Sequence, residues 1–220
     1  MQVEHGGVVY VLNTNHNTAK AVAYRAENIY EIIIPQTVRH WMCNFTVTEI
    51  ADCAFQYSDI RKITLPYTIG RIGQCAFMGS KISYIFRNST TPIIIEDSAF
   101  VNCTELVRAN FQGMIRLMGD NQFHNCFKLE SIDDYNIKGR IGQWTFAGCL
   151  NLTEFHLADV IVEKNSFENT NLNQIFIGEN VKISGEIKHV FNTMNILCLP
   201  DSNLLDLVYE GYCVHVIDNT

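Results

Sequence analysis

The sequence predicts a β-rich repeat solenoid, a right-handed coil of about seven turns carrying a parallel β-sheet on its concave face, and three observations support this. Phenylalanine recurs at Phe55, Phe77, Phe100, Phe123, Phe146, Phe167 and Phe191, at separations of 22, 23, 23, 23, 21 and 24 residues. Aliphatic residues keep phase with it, five positions before (Ile50, Ile72, Ile95, Met118, Ile141, Val162) and five or six after (Ile60, Ile82, Leu106, Leu129, Leu152, Leu172). A small residue precedes most members: Ala54, Ala76, Ala99, Thr145 and Ser166. Apolar rows at fixed phase within a period of about 20–29 residues are what stacked coils require, because one coil can bury its apolar side only against a neighbour.

The cysteines obey the same period. Cys103, Cys126 and Cys149 stand three residues after their phenylalanines, where other coils hold Ser58, Ser80 and Thr170, so the place suits something small and weakly polar. Cys53 and Cys75 share a second place, two residues before phenylalanine. None of these spacings is a C-x-x-C metal or redox pair, and a ladder of reduced, buried thiols is expected.

Composition fits an ordered globular chain: of 220 residues, 47% are hydrophobic and 18% charged. A formal net charge of -7, without a basic run longer than Arg61-Lys62, excludes nucleic acid and anionic membrane as expected partners. No apolar stretch approaches the roughly 18–20 residues that span a bilayer, so no membrane insertion is expected, and the first ten residues show no secretory signal.

The stretch "VTEIADCAFQYSDIRKITLPYTIGRIGQCAF" resembles the BspA-type leucine-rich repeats, whose pattern runs I-x-x-x-A-F-x-x-C/S-x-x-L-x-x-I-x-L-P-x-x-V-x-x-I. The resemblance covers residues 47–200, departing from the pattern at 111–121 and 178–190. It implies one structural domain in three parts. Residues 1–46 form an N-terminal β cap, because "GGVVYVLNTNHNTAKAVAY" resembles the hairpin that precedes such repeats. Residues 47–200 are the repeats, and 201–220 a cap with a short helix, because "ILCLPDSNLLDLVYEGY" resembles the family's closing segment. Caps also have a physical reason, since an open sheet edge invites another chain to add on.

Alternation within each L-x-x-I-x-L strand sends two columns outward. The first reads Lys62, Tyr84, Arg108, Ser131, Glu154, Gln174; the second reads Thr64, Phe86, Asn110, Asp133, His156, Phe176. Tyr84, Phe86 and Phe176 are candidate binding anchors, unless the irregular segments "RNSTTP" and "DDYNIKG" fold over them. With Arg108, Asp133 and His156 they make up the candidate ligand-binding set. Ser131, Asp133 and His156 are the residue types of a nucleophilic triad, but an open sheet supplies neither cleft nor oxyanion hole, and no catalytic residue is assigned. Glu154, His156 and Asp133 read as cross-strand pairs, so no metal or cofactor is expected. Trp41 and Trp144 read as packing residues, near the cap and on the convex side.

The expected function is therefore a non-enzymatic recognition or adhesion module binding a protein or glycan. The family resemblance implies a cell-surface or secreted setting, with host matrix or another cell surface as partner. An intracellular scaffold or adaptor of the same fold, in the cytoplasm, is the alternative.

Overall fold

The computed structural model describes residues 1–183 and the backbone of residues 195–198 and 214–216. The chain opens with an antiparallel meander of β1 (Gln2–His5), β2 (Val8–Asn13) and β3 (Thr18–Tyr24). After β4 (Glu31–Ile33) comes an antiparallel hairpin, β5 (Thr37–His40) and β6 (Cys43–Ile50). Each coil then contributes two short strands. These are β7 (Lys62–Leu65) and β8 (Arg71–Ile72), β9 (Tyr84–Arg87) and β10 (Ile93–Ile95), and β11 (Arg108–Asn110) and β12 (Ile115–Leu117). Three further coils supply β13 (Ser131–Ile132) and β14 (Gly139–Ile141), β15 (Glu154–Leu157) and β16 (Val160–Val162), and β17 (Gln174–Ile177) and β18 (Lys182–Ile183). β19 (Asn195–Cys198) and β20 (Val214–Val216) continue the backbone.

The strands stack into two parallel ladders. The first runs β4, β7, β9, β11, β13 and, past a 3-10 turn at Asp134–Asn136, resumes as β15, β17, β19, β20. It is the sheet expected on the concave face. The second, β6, β8, β10, β12 resumed by β14, β16 and β18, is additional. From β8 onward its strands are two or three residues long, too short to display alternation in the sequence. β3 lies parallel on β6, so the meander covers that ladder's first edge. β4, within the segment expected to be cap alone, pairs with β7 and opens the first ladder. Phe191 and most of the segment expected to hold the closing helix lie outside the described residues.

Between the second ladder and the next coil lies the corner that carries phenylalanine. Here amides alternate: Cys53, Phe55 and Tyr57 donate to Gln74, Ala76 and Met78 of the next coil, while Ala54, Gln56 and Ser58 close turns within their own. Two corner residues per coil take left-handed φ: Cys53, Cys75, Ser98, Asn121, Trp144 and Asn165 in one row, and Tyr57, Gly79, Asn102, Asn125, Gly148 and Asn169 in the other. Asparagine tolerates this conformation better than most residues, which gives a structural reason for its abundance. The phenylalanine rings stack face to face from Phe55 to Phe146 with centroids 5.0–5.4 Å apart and planes within 5° of one another. Phe167 continues the stack at 5.5 Å, and Tyr24 tilts over Phe55 at 6.0 Å to close it.

One row needs correcting. Met118 was expected inside, but it is half exposed, and Leu117 takes the buried place by pairing with Ile95. The extra residue is Gly119, whose φ of +99° suits glycine and lets Asp120 rejoin the stack by donating its amide to Asp97.

The buried thiols follow expectation at Cys103, Cys126 and Cys149. Each is fully buried and donates to a carbonyl of the preceding coil, of Phe77, Phe100 and Phe123 respectively, at 2.9–3.2 Å. Burial pushes Cys103 up to about 12 and raises Cys126 and Cys149 as well.

Candidate functional site

The two outward columns fall into register as the period requires. Lys62, Tyr84, Arg108 and Ser131 are successive partners, as are Thr64, Phe86 and Asn110. Beyond the 3-10 turn Glu154 pairs with Gln174 and His156 with Phe176. The turn divides the six candidate binding residues: Tyr84, Phe86 and Arg108 lie on one side, His156 and Phe176 on the other, and Asp133 at the break.

On the first side, Tyr84 and Phe86 are 47% and 37% exposed, so "RNSTTP" leaves them open. The reason lies one residue on. Arg87 points inward at the place Leu65 holds in the coil before, and is fully buried. It donates through Nη1 to the Thr91 carbonyl at 3.0 Å and through Nη2 to the Thr91 hydroxyl at 2.6 Å and the Tyr67 carbonyl at 3.3 Å. Burial pulls its pKa down. A guanidinium is costly to bury unless its hydrogens are used; both Nη groups find acceptors while Nε finds none, and the Nη acceptors tie the following loop to the corner instead of over the aromatics.

The open aromatics floor a groove of about 670 Å³, bordered by Arg61, Lys62, Arg108, Glu31 and Asn110. Its cations are loosely held. Lys62 stands 3.7 Å from Glu31 and Arg108 3.8 Å from Glu130, too far for hydrogen bonds, on side chains that are all more than half exposed. Arg61 lies 4.9 Å over the Tyr30 ring. The Oδ1 of Asn110 is buried without a partner.

Beyond the turn the arrangement is closed. The His156 ring lies between Tyr135, at 3.9 Å, and Phe176, parallel within 3° at 4.3 Å. Asp134 Oδ2 accepts from the His156 amide at 2.7 Å and lies 3.0 Å from Nδ1, while the Tyr135 hydroxyl meets Nε2 at 2.6 Å. With Nδ1 protonated toward the carboxylate, Nε2 accepts from the Tyr135 hydroxyl. Tyr135 is raised above its ordinary value by burial, then by Asp134 and Glu154, which keeps that proton on oxygen. His156 is thus paired with Asp134 and not with Asp133, its neighbour by count. Asp133 turns away to accept the Phe111 and Gln112 amides at 2.6 and 2.7 Å, stitching the break in the sheet. Among the described residues no hydrogen bond joins Ser131 to His156, and no cluster of three or more metal-ligating side chains occurs.

Trp144 packs as expected, edge-on to His124 at 6.1 Å. Trp41 does not. It sits with Met42 in the two-residue turn of the β5–β6 hairpin, where the strands end at the His40–Cys43 pair, and the two side chains are 81% and 91% exposed.

A model of the BspA type leucine rich repeat region matches residues 17–152 and 85–196, in 6 copies. The chain belongs to this family. A leucine-rich cell surface protein from Faecalibacterium prausnitzii matches with 25% identity and a TM-score of 0.72 over 92% of this chain, which spans only 55% of that protein's chain. The leucine-rich repeat protein of T. pallidum shares 17% identity with a TM-score of 0.60, covering 98% of both chains, and so shares the fold. No curated protein matches the chain. Among the described residues no helix is long and apolar enough to cross a membrane.

Proposed function

We propose that the chain is a recognition module that captures an acidic, extended segment of a protein partner in the groove over Tyr84 and Phe86. The observation that carries this reading is the juxtaposition of two uncovered aromatics with Arg61, Lys62 and Arg108 in a chain of net charge -7. Folding gains nothing from exposing such rings, whereas aromatic and arginine side chains are enriched among the anchors of protein interfaces. Cations that make no short ion pairs of their own give up little on meeting a carboxylate, and they steer an acidic partner by charge. Arg108 is the specificity residue of this reading and Tyr84 and Phe86 its anchors, on the near side of the stitch made by Asp133. A cell-surface setting is supported by the likeness to the F. prausnitzii cell surface protein.

Fluorescent peptides rich in Glu and Leu, a polyuronate and a polylysine control, each titrated at two salt concentrations, test the proposal. The acidic peptide should bind, weaken with salt, and lose at least about ten-fold affinity in Arg108→Glu. Equal affinity for that variant would overturn the reading, and a clear preference for the polyuronate would replace the protein partner with an acidic glycan.

A further inference from the structure

Two cysteines outside the buried ladder, Cys53 and Cys75, stand in adjacent coils and have no evident packing role. Cys53 is exposed and Cys75 half-buried, at the same left-handed corner position of consecutive coils, with φ of 57° and 54°. The next coils put Ser98, Asn121, Trp144 and Asn165 there, so the corner itself does not require sulfur. The backbone fixes how the pair faces. Cys53 donates its amide to the Gln74 carbonyl at 2.9 Å and Phe55 donates to Ala76 at 2.7 Å, which brackets Cys53 directly over Cys75. Stacked coils bring equivalent Cα atoms to about 4.8 Å, within the roughly 4.4–6.8 Å that a disulfide spans. With matching φ values on stacked corners, the two side chains leave their backbones in the same direction. Burial, then the Cys53 thiol, Asp97 and Asp52, push Cys75 above its ordinary value.

We propose that Cys53 and Cys75 are a modification site: a thiol pair that closes to a disulfide clamping two adjacent corners, by exchange with a low-molecular-weight disulfide such as oxidised glutathione. The exposed Cys53 attacks first. Its thiolate displaces one glutathione thiolate and forms a mixed disulfide. Cys75, deprotonated in the second step, then attacks Cys53 Sγ, forming the S–S bond between coils and releasing the second glutathione. Two thiols become one disulfide, and their two electrons and two protons leave on two molecules of reduced glutathione. The raising of Cys75, by burial first and then by its neighbours, makes the second step the slower one, since the thiolate is the attacking species. Cys103, Cys126 and Cys149 share the chain but lie buried out of reach, and Cys43, exposed on β6, is an internal control for a lone thiol. This inference does not depend on the recognition reading.

The test incubates the intact folded protein with glutathione buffers of graded redox ratio, quenches with acid, and maps peptides by mass. The expected product is one intramolecular link between Cys53 and Cys75, reversed by dithiothreitol, formed at ratios that leave Cys103, Cys126 and Cys149 as free thiols. It should raise the thermal midpoint, because it closes a loop in the unfolded chain. Cys75→Ser, which copies the residue of the next coil and so keeps the fold, should stop at the mixed disulfide on Cys53. Separate glutathionylation of Cys53 and Cys75 in the wild type without a link, or a link from either one to Cys43, would overturn the proposal.

Discussion

The outward faces of the two ladders carry arginines on the same stacked backbone and use them in opposite ways. On the second ladder, Arg140 grips Glu163 through Nε and Nη2 at 2.5 and 2.8 Å, Asp120 at 2.9 Å and the Gly119 carbonyl at 2.8 Å. Arg71 likewise meets Glu96 at 3.1 Å, Asp52 at 2.9 Å and Glu49 at 3.5 Å. Each guanidinium ties its own coil to the coils before and after it. On the first ladder Arg108 reaches its nearest carboxylate only at 3.8 Å and stands among open aromatics. Arg71 and Arg140 spend their charge on holding the stack, whereas Arg108 makes no short ion pair. The difference is geometric. Acids one period before and after an arginine provide a fork on both sides, and the first ladder places Tyr84 and Ser131 there instead.

The largest expected effect lies beneath both faces. Phe100→Ala, in the middle of the ring stack, should cost about 3–5 kcal/mol in urea denaturation, as core phenylalanine truncations do, and should damage the two faces together. A loss confined to either face would mean that the ladders are not one cooperative unit. Next comes Arg140→Ala, expected to cost roughly 1 kcal/mol, because a partly exposed network with bidentate geometry stands at the strong end of surface ion pairs. Its counterpart Arg108→Ala should change stability by less than about 0.5 kcal/mol, the usual range for a surface site without fixed partners. Equal costs would erase the contrast between the faces.

A smaller effect sharpens the comparison through pH. The hydrogen bond from Arg140 holds the Glu163 carboxyl below its ordinary value, against a lesser opposing effect of burial. A carboxyl lowered on folding contributes stability that is complete above its unfolded value, about 4.3, and lost as pH falls through the folded one. The advantage of wild type over Glu163→Gln in thermal midpoint should therefore be full at neutral pH and shrink below about pH 4. An advantage unchanged at lower pH would show that the pair is not the source. The smallest effect on folding is expected from Tyr84→Ala, which should leave the thermal midpoint within a degree or two while weakening capture of the acidic peptide.

What the sequence revealed is whatever repeats. The Phe55–Phe167 stack and the pairings Lys62–Tyr84–Arg108 follow from the period alone, because in-register parallel stacking maps residue number directly onto position. What it concealed is whatever happens once. Whether Asp133 or Asp134 meets His156 depends on the course of a single 3-10 turn. The openness of Tyr84 depends on Arg87 turning inward at a place where the pattern calls for leucine. The displacement of Met118 depends on one inserted glycine, and the second ladder on strands too brief to alternate. The candidate residues were legible as columns, but their division into an open groove and a closed His156 cluster was not.

The left-handed corners have a consequence for how such a chain can change over generations. Because Cys75, Ser98, Asn121 and Asn165 hold the same backbone shape with different side chains, a duplicated or deleted period would meet a neighbour with a matching junction. Length is then a heritable variable almost separate from shape, and a lineage could extend the solenoid away from the Tyr84 groove without rebuilding it. The parts that resist such editing are those that reach across periods, Arg71 and Arg140 with their acids, which act as splice marks fixing which coils must stay together.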